Sequence, residues 1–286
     1  MIDVVPQPHV SCRNVAKLLA KTIGARYCDV MNGNSGPGLG DVMIFVGGIV
    51  SNIEPKVQAY EKLFTSRRKV IYYVVCEGRL SWVPEHLKGQ TVIAPSKFVK
   101  GCFEDVGLRV EAVIPHAVAG PFTERHKRVS ESLLYISATG KGTNKWPEHT
   151  RILWPSITTN IPGSPDAAIV ELYKNAGYYA NLSDGEGFGL TVLEALAYGL
   201  PVITAKYPPI TEFTDGDCAV YVPVQDVSFE RTSMWQEVKH NLYTLHSYQE
   251  GIRVALERNY ECMSVAAVKK AKEFSPDVYK RFLEFV

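Results

Sequence analysis

The sequence predicts an α/β fold with mainly parallel sheets, on three observations. Short apolar runs alternate with amphipathic segments along most of the 286 residues. The runs are rich in Val, Ile and Tyr, as in strands buried on both faces. The stretch 115–129, PHAVAGPFTERHKRV, is dense in Pro, Gly and charge and separates two strand–helix series. It divides the chain into two domains of ordinary size.

In chain order, strands are expected at 3–5, 42–46, 70–75, 91–94 and 110–114 before the divide, and at 133–137, 178–181, 201–204 and 219–222 after it. Helical periodicity falls between them, at 13–23, 56–64, 96–106, 165–175 and 190–198. Ser96 and Asp166 stand where capping or first-turn residues belong. Alternation of this kind builds parallel sheets covered by helices. Beyond Val222 the character changes, and 228–270 reads as helical with no convincing strand. The chain ends in SPDVYKRFLEFV, where Val278, Phe282, Leu283 and Val286 would share one apolar helix face. The expected organisation is an N-terminal domain over 1–120, a C-terminal domain over 121–272 and a terminal helix over 273–286.

Composition narrows the function classes. A hydrophobic fraction of 46% suffices for a core, and 21% charged residues argue against a disordered chain. A net charge of +1 gives no global attraction to nucleic acid, so an anionic partner needs a local site. Cys12, Cys28, Cys76, Cys102, Cys218 and Cys262 form no Cys-x-x-Cys pair, so neither a zinc site nor a redox motif is signalled. Scattered thiols suit a reducing compartment. The start, MIDVVPQPHV, lacks the basic and apolar runs of a signal peptide. No apolar stretch approaches the roughly 18–20 residues that span a bilayer. A cytoplasmic protein without a transmembrane segment is expected. Arg67, Arg68 and Lys69 close an amphipathic segment holding Val57, Tyr60, Leu63 and Phe64. That segment reads as a solvated helix end, with peripheral contact to anionic lipid as the sharper alternative.

The chemistry concentrates in 181–214, NLSDGEGFGLTVLEALAYGLPVITAKYPPITEFT. A strand runs into a loop where Gly185, Gly187 and Gly189 alternate with Glu186 and Phe188. Glycine lets backbone approach a ligand closely. The helix starting near Leu190 turns its unpaired N–H groups toward the loop, and this combination is an anion site, typically for phosphate. The helix dipole supplies only about 0.3–1 kcal/mol, so several N–H bonds must supply the rest. Glu194 lies among Leu190, Val192, Leu193, Ala195, Leu196 and Ala197, on a helix apolar nearly all round. A buried carboxylate costs several kcal/mol unless paired. Ligand hydroxyls such as those of a ribose would satisfy it, and so would an Arg or Lys from another segment. Glu186 alone reads as a solvated loop acid. Its spacing from Glu194, with glycines between, gives it more weight.

The segment EGFGLTVLEALAYGLPVI resembles the C-terminal signature of the family 4 retaining glycosyltransferases, of the glycosyl transferases group 1 type. That signature is Glu, seven residues, Glu, with the same Gly-Phe-Gly step and a following Gly-x-Pro-Val. More loosely, ITEFTDGDCAVYVP, VIAPSKFVKGCFEDVGLRVEAVIPHAV and FSPDVYKRFLEFV are similar to the family's next segment, the end of its N-terminal domain and its terminal helix. The resemblance implies a GT-B fold, with two Rossmann-like domains around a cleft and a last helix crossing back to the first domain. It implies a metal-independent enzyme without cofactor that moves a sugar from a nucleotide-diphosphate sugar to a glycan, glycoprotein or lipid-linked acceptor, with retention of configuration. By the same resemblance Glu186 faces the transferred sugar and Glu194 holds the ribose. The amides of Phe188, Gly189 and Leu190 lie near the diphosphate, with Gly187 and Thr191 beside them. Lys141 and Lys145, in ATGKGTNKWPE, are the candidates to neutralise the leaving diphosphate. His9, Cys76, Glu77 and His116 are candidates for the acceptor or sugar side.

The chain departs from the family in places. It is short, its basic pair lacks the usual Arg, and Cys76-Glu77-Gly78 stands where the family often has His. The first loop has no Gly-Gly pair, although Gly47 and Gly48 offer close approach elsewhere. A catalytically silent nucleotide-sugar-binding protein is one rival, opposed by the presence of both acids. Another GT-B enzyme, such as a sugar-nucleotide epimerase, is a second, opposed by the Gly-Phe-Gly step. Asp215-Gly216-Asp217 reads as a turn, not a metal motif. The Gly-rich run at 33–40 does not fit the dinucleotide fingerprint.

Overall fold

A computed structural model describes residues 1–7, 9–29, 40–48, 69–83, 87–129, 132–136, 157–159, 166–232 and 236–286. The helix expected at 56–64, the basic run Arg67-Arg68, and Lys141 and Lys145 lie outside the described residues.

The first unit comprises Met1–Ala119, Arg231–Val238 and Pro276–Val286. Its elements are β1 (Ile2–Pro6), α1 (Val10–Ile23), β2 (Arg26–Tyr27), β3 (Val42–Gly48), β4 (Lys69–Val75), β5 (Gly78–Leu80), β6 (Thr91–Ala94), α2 (Lys97–Glu104) and β7 (Ala112–Val113). Six strands form one parallel sheet in the order β2-β1-β3-β4-β6-β7. The continuous apolar runs of β3 and β4 are buried on both faces, as central parallel strands require. The Ser96 side chain caps α2 by accepting from Val99 N at 3.1 Å.

The last segment is a 3₁₀ helix, Pro276–Phe285. Three residues per turn align positions i and i+3, so Tyr279 and Phe282 point inward together and pack around Tyr73. The α-helical face expected from Val278, Phe282, Leu283 and Val286 is therefore corrected: Leu283 and Val286 are exposed.

The second unit comprises Gly120–Glu230 and Lys239–Ser275. It holds β8 (Leu133–Tyr135), β9 (Ile157–Thr159), α3 (Asp166–Asn175), β10 (Tyr178–Asn181), α4 (Leu190–Ala197), β11 (Val202–Ala205), α5 (Ile210–Phe213), β12 (Ala219–Val222), α6 (Leu245–Glu257) and α7 (Tyr260–Lys272). Its parallel sheet runs β12-β11-β10-β8-β9. The order reverses between β8 and β10. Ligands of open α/β sheets bind at the carboxyl ends of strands beside such a switch point, and the glycine loop follows β10 there. Helix α4 buries Val192, Leu193, Ala195, Leu196 and Ala197. Burying each Val or Leu is worth about 1.5–3 kcal/mol. It ends in a Schellman motif, with Gly199 at φ 69°, Gly199 N donating to Leu196 O and Leu200 N to Ala195 O.

Two strands interrupt the region expected to be helical: β13 (Asp226–Arg231) and β14 (Gln236–Leu242). Gln236–Val238 pair antiparallel with β5. Alternation is present, in Val227 and Phe229 and again in Val238 and Leu242, but each apolar face is only two residues long. The helical pattern of α6 and α7 overwhelms so weak a signal.

Candidate active site

Strand β10 delivers the chain into the loop 182–189, and every loop residue is buried or partly buried. The path of the loop is fixed by hydrogen bonds on both sides. Asn181 Nδ2 donates to Thr204 Oγ1 at 3.0 Å, Ser183 Oγ to Gly185 O at 2.8 Å, and Tyr207 Oη to Ser183 O at 2.9 Å. Phe188 is buried and stacks on Phe213, with ring centroids 5.0 Å apart. Gly189 is the N-cap of α4, at φ 96° and ψ 49°. A Cβ there would collide with Ile210 Cδ1, so both the dihedral and the packing demand glycine. Leu190 and Thr191 open the helix, where amides have no carbonyl four residues back to bond.

The two acids flank this turn. Glu186 is partly exposed in the loop. Its charge acts on Tyr207 and on Tyr179, both buried phenols pushed upward first by burial. Glu194 projects from the partly exposed side of α4, and the Tyr173 hydroxyl donates to its Oε2 at 2.9 Å, with Thr191 O 3.2 Å from the same hydroxyl. Burial pushes the Glu194 carboxyl up to about 7, with the Tyr173 bond pulling it down and Asp166 pushing it further up. Among the described residues its partner is thus a neutral hydroxyl, neither Arg nor Lys. Tyr173 is itself anchored. It stacks on Tyr198 at 5.1 Å, and Arg125 donates to the carbonyls of Tyr173, Ala176 and Tyr198 at 2.7, 2.6 and 2.8 Å. Tyr179, wholly buried beside Thr191 and both acids, has a hydroxyl without a well-formed hydrogen bond. A leftover buried donor of this kind needs a reason.

Sequence reasoning brought Glu186, Gly187, Phe188, Gly189, Leu190, Thr191 and Glu194 to one turn, and the structure keeps them there. It missed Tyr173, which reaches Glu194 from α3, Tyr179 on the strand leading into the loop, and Arg125, which holds the backbone around Tyr173. The remaining candidates belong to the first unit, past the carboxyl ends of β1, β4 and β7. His9 is exposed, with Nδ1 2.7 Å from Ser11 Oγ. Cys76 is buried, and burial followed by the neighbouring Cys102 pushes its thiol well up, so it is no nucleophile at neutral pH. Glu77 is partly exposed beside it. His116 is buried, with its pKa lowered to about 3 by burial, so it is neutral. The Tyr73 hydroxyl donates to Ile114 O at 2.8 Å, which leaves His116 Nδ1, 2.8 Å away, as donor to Tyr73. The close approach offered by Gly47 and Gly48 is taken by Gln7, whose Oε1 accepts from Gly48 N at 2.7 Å. Asp215 Oδ1 accepts from Asp217 N and Cys218 N, closing a turn. No metal-binding group of acids, His and Cys occurs among the described residues, and none of the helices there is long and apolar enough to cross a membrane.

Residues 157–228 match the profile of the family described as Glycosyl transferases group 1. Over 117 residues the chain is 30% identical to "Putative glycosyltransferase 48" of Sulfolobus islandicus filamentous virus (isolate Iceland/Hveragerdi), across 37% of this chain and 35% of that protein. The match thus spans about a third of the viral relative. The whole chain is similar in fold to Anabaena Alr3699/HepE in complex with UDP and glucose, with TM-score 0.65, 13% identity and 98% of that chain covered. It is likewise similar to WaaG, a glycosyltransferase involved in lipopolysaccharide biosynthesis, with TM-score 0.60, 11% identity, all of this chain and 99% of that one covered. Against the pneumococcal O-GlcNAc transferase GtfA in complex with UDP and GlcNAc, the TM-score is 0.56 at 16% identity, over 95% of this chain and 59% of that one. The fold is GT-B, and residues 157–228 are similar to the glycosyl transferases group 1 family.

Proposed function

We propose that this protein is a glycosyltransferase that takes a sugar from a nucleotide-diphosphate sugar and passes it to a hydroxyl of a glycan, glycoprotein or lipid-linked acceptor. The observation that carries the reading is the turn itself: a strand, a glycine loop and a helix N-terminus at a sheet switch point, with Glu186 before the helix and Glu194 within it. In this reading the amides of Phe188, Gly189 and Leu190 receive the diphosphate, with Lys141 and Lys145 from the segment after β8 adding charge. Glu194 accepts from the ribose hydroxyls. Glu186 faces the sugar. The bond from the anomeric carbon to the diphosphate oxygen breaks, the acceptor oxygen takes its place and the acceptor proton is lost. Stabilising the departing diphosphate is the main electrostatic task. Retention of configuration and independence of metal complete the reading, in a reducing, cytoplasmic setting. Uridine diphosphate is the nucleotide to try first, since two fold relatives carry UDP.

Calorimetry tests the reading at the diphosphate. UDP should bind far more tightly than uridine, and replacing both Lys141 and Lys145 by Ala should cost UDP much and uridine little. Equal losses for both ligands would make the lysines structural. No binding of any nucleoside diphosphate would remove the donor site.

A further inference from the structure

The glycine loop is held by more than its own turn. Strand β14 and the residue following Leu242, from nearly sixty positions downstream, bond to three groups of the segment 182–184. Asn241 donates twice to Asp184 O, from its backbone N at 2.7 Å and from Nδ2 at 2.8 Å, which occupies both lone pairs of that carbonyl. His240 Nδ1 lies 2.9 Å from Asp184 Oδ1. An ionised carboxylate only accepts, so Nδ1 carries the proton. The Tyr243 hydroxyl donates to Leu182 O. Asn241 is 3% exposed, and the His240 and Asp184 side chains are 13% and 12% exposed, so the bonds are shielded from water. The other charged group facing His240 is Glu230, whose Oε2 lies 3.3 Å from Nε2 at an angle that makes no hydrogen bond.

Glu186 follows Asp184 by two residues, and Gly185 and Gly187 on either side of it give the backbone no stiffness of its own. Ser183 Oγ, bonded to Gly185 O, steadies the side of Glu186 nearer Asp184. A catalytic group must be held within about 0.5 Å of its working position by bonds beyond the reacting atoms.

We infer that Asn241 and His240 are positioning residues that clamp Asp184 and thereby hold Glu186 toward the sugar. This rests on the proposed donor site, and it adds to that site a segment lying outside the matched 157–228. Asn241→Ala and His240→Phe in the full chain should lower kcat for a nucleotide sugar by at least tenfold, with Kd for UDP changed less than threefold. His240→Asn, which keeps a donor near the Nδ1 position, should recover to within threefold of the unaltered protein. Hydrogen–deuterium exchange over 182–189 should quicken at least tenfold in Asn241→Ala and His240→Phe. The exchange measurement needs no turnover: if the unaltered protein turns over no nucleotide sugar, quickened exchange supports the clamp and only the enzyme reading fails. Unchanged exchange, or kcat and UDP affinity falling together by the same factor, overturns the inference.

Discussion

Two carboxylates in one turn differ in what the fold does to them. Glu194 is held where burial raises its pKa to about 7. A carboxyl raised on folding favours the folded state below its unfolded value, and that contribution is lost as pH rises through about 7. Every tenfold difference in proton affinity between the folded and unfolded chain is worth about 1.4 kcal/mol. The ligand-free protein should therefore lose melting temperature between pH 5 and pH 8, and Glu194→Gln should flatten that slope while keeping an acceptor for Tyr173. Identical slopes would show that Glu194 is no titrating group. If ribose hydroxyls donate to the carboxylate, nucleotide-sugar affinity should rise over the same pH range, and the Gln variant should lose that rise. Glu186→Ala should reduce transfer by about 10²-fold or more, the scale of losing a group that acts on transition-state charge, while UDP binds as before. Activity within a few-fold of the unaltered protein would remove Glu186 from the mechanism. Both acids were legible because they share one short glycine-rich stretch. Tyr173, Tyr179, Arg125, His240 and Asn241 were not, because their meaning arises only when distant segments meet.

Elements with strong periodicity were the legible ones. The strand at 178–181 has the expected bounds and the helix the expected start at Leu190, ending one residue earlier than expected, because an apolar run and an apolar helix leave little choice. β13 and β14 were misread because their residues are mostly exposed or half-buried and present short apolar faces. The terminal helix was misread at the level of its period, three residues per turn in place of 3.6. Gly189 makes the element-scale argument testable. Gly189→Ala meets both a left-handed dihedral and Ile210 Cδ1. The dihedral alone costs roughly 1–3 kcal/mol, and the helix start should shift enough to weaken UDP binding at least tenfold. Gly101→Ala is the control, since φ there is ordinary and a Cβ meets open space. Equal UDP affinity in the two variants would contradict the role given to the turn. Ser96→Ala should cost α2 about 1 kcal/mol through its lost cap, read by urea unfolding, with UDP affinity unchanged.

At the scale of the whole molecule, the parallel α/β architecture was legible from alternation alone, because the central strands of the two parallel sheets are buried along nearly their whole length and so need continuous apolar runs. The GT-B fold was legible only through the resemblance carried by the glycine turn. Sugar identity and acceptor are set by surfaces with no periodic signature. Turnover should survive EDTA, since Asp215-Gly216-Asp217 is a turn whose Asp215 oxygen is taken by backbone amides. Complete loss on chelation, restored by manganese, would overturn metal independence. The most direct measurement incubates the protein and its Glu186→Ala variant with a panel of nucleotide sugars, including UDP-sugars, and follows nucleoside diphosphate release and sugar transfer. The account predicts release and transfer with at least one donor by the unaltered protein, and near-complete loss in the variant. No release with any donor while UDP still binds would contradict it and leave a nucleotide-sugar-binding protein in its place.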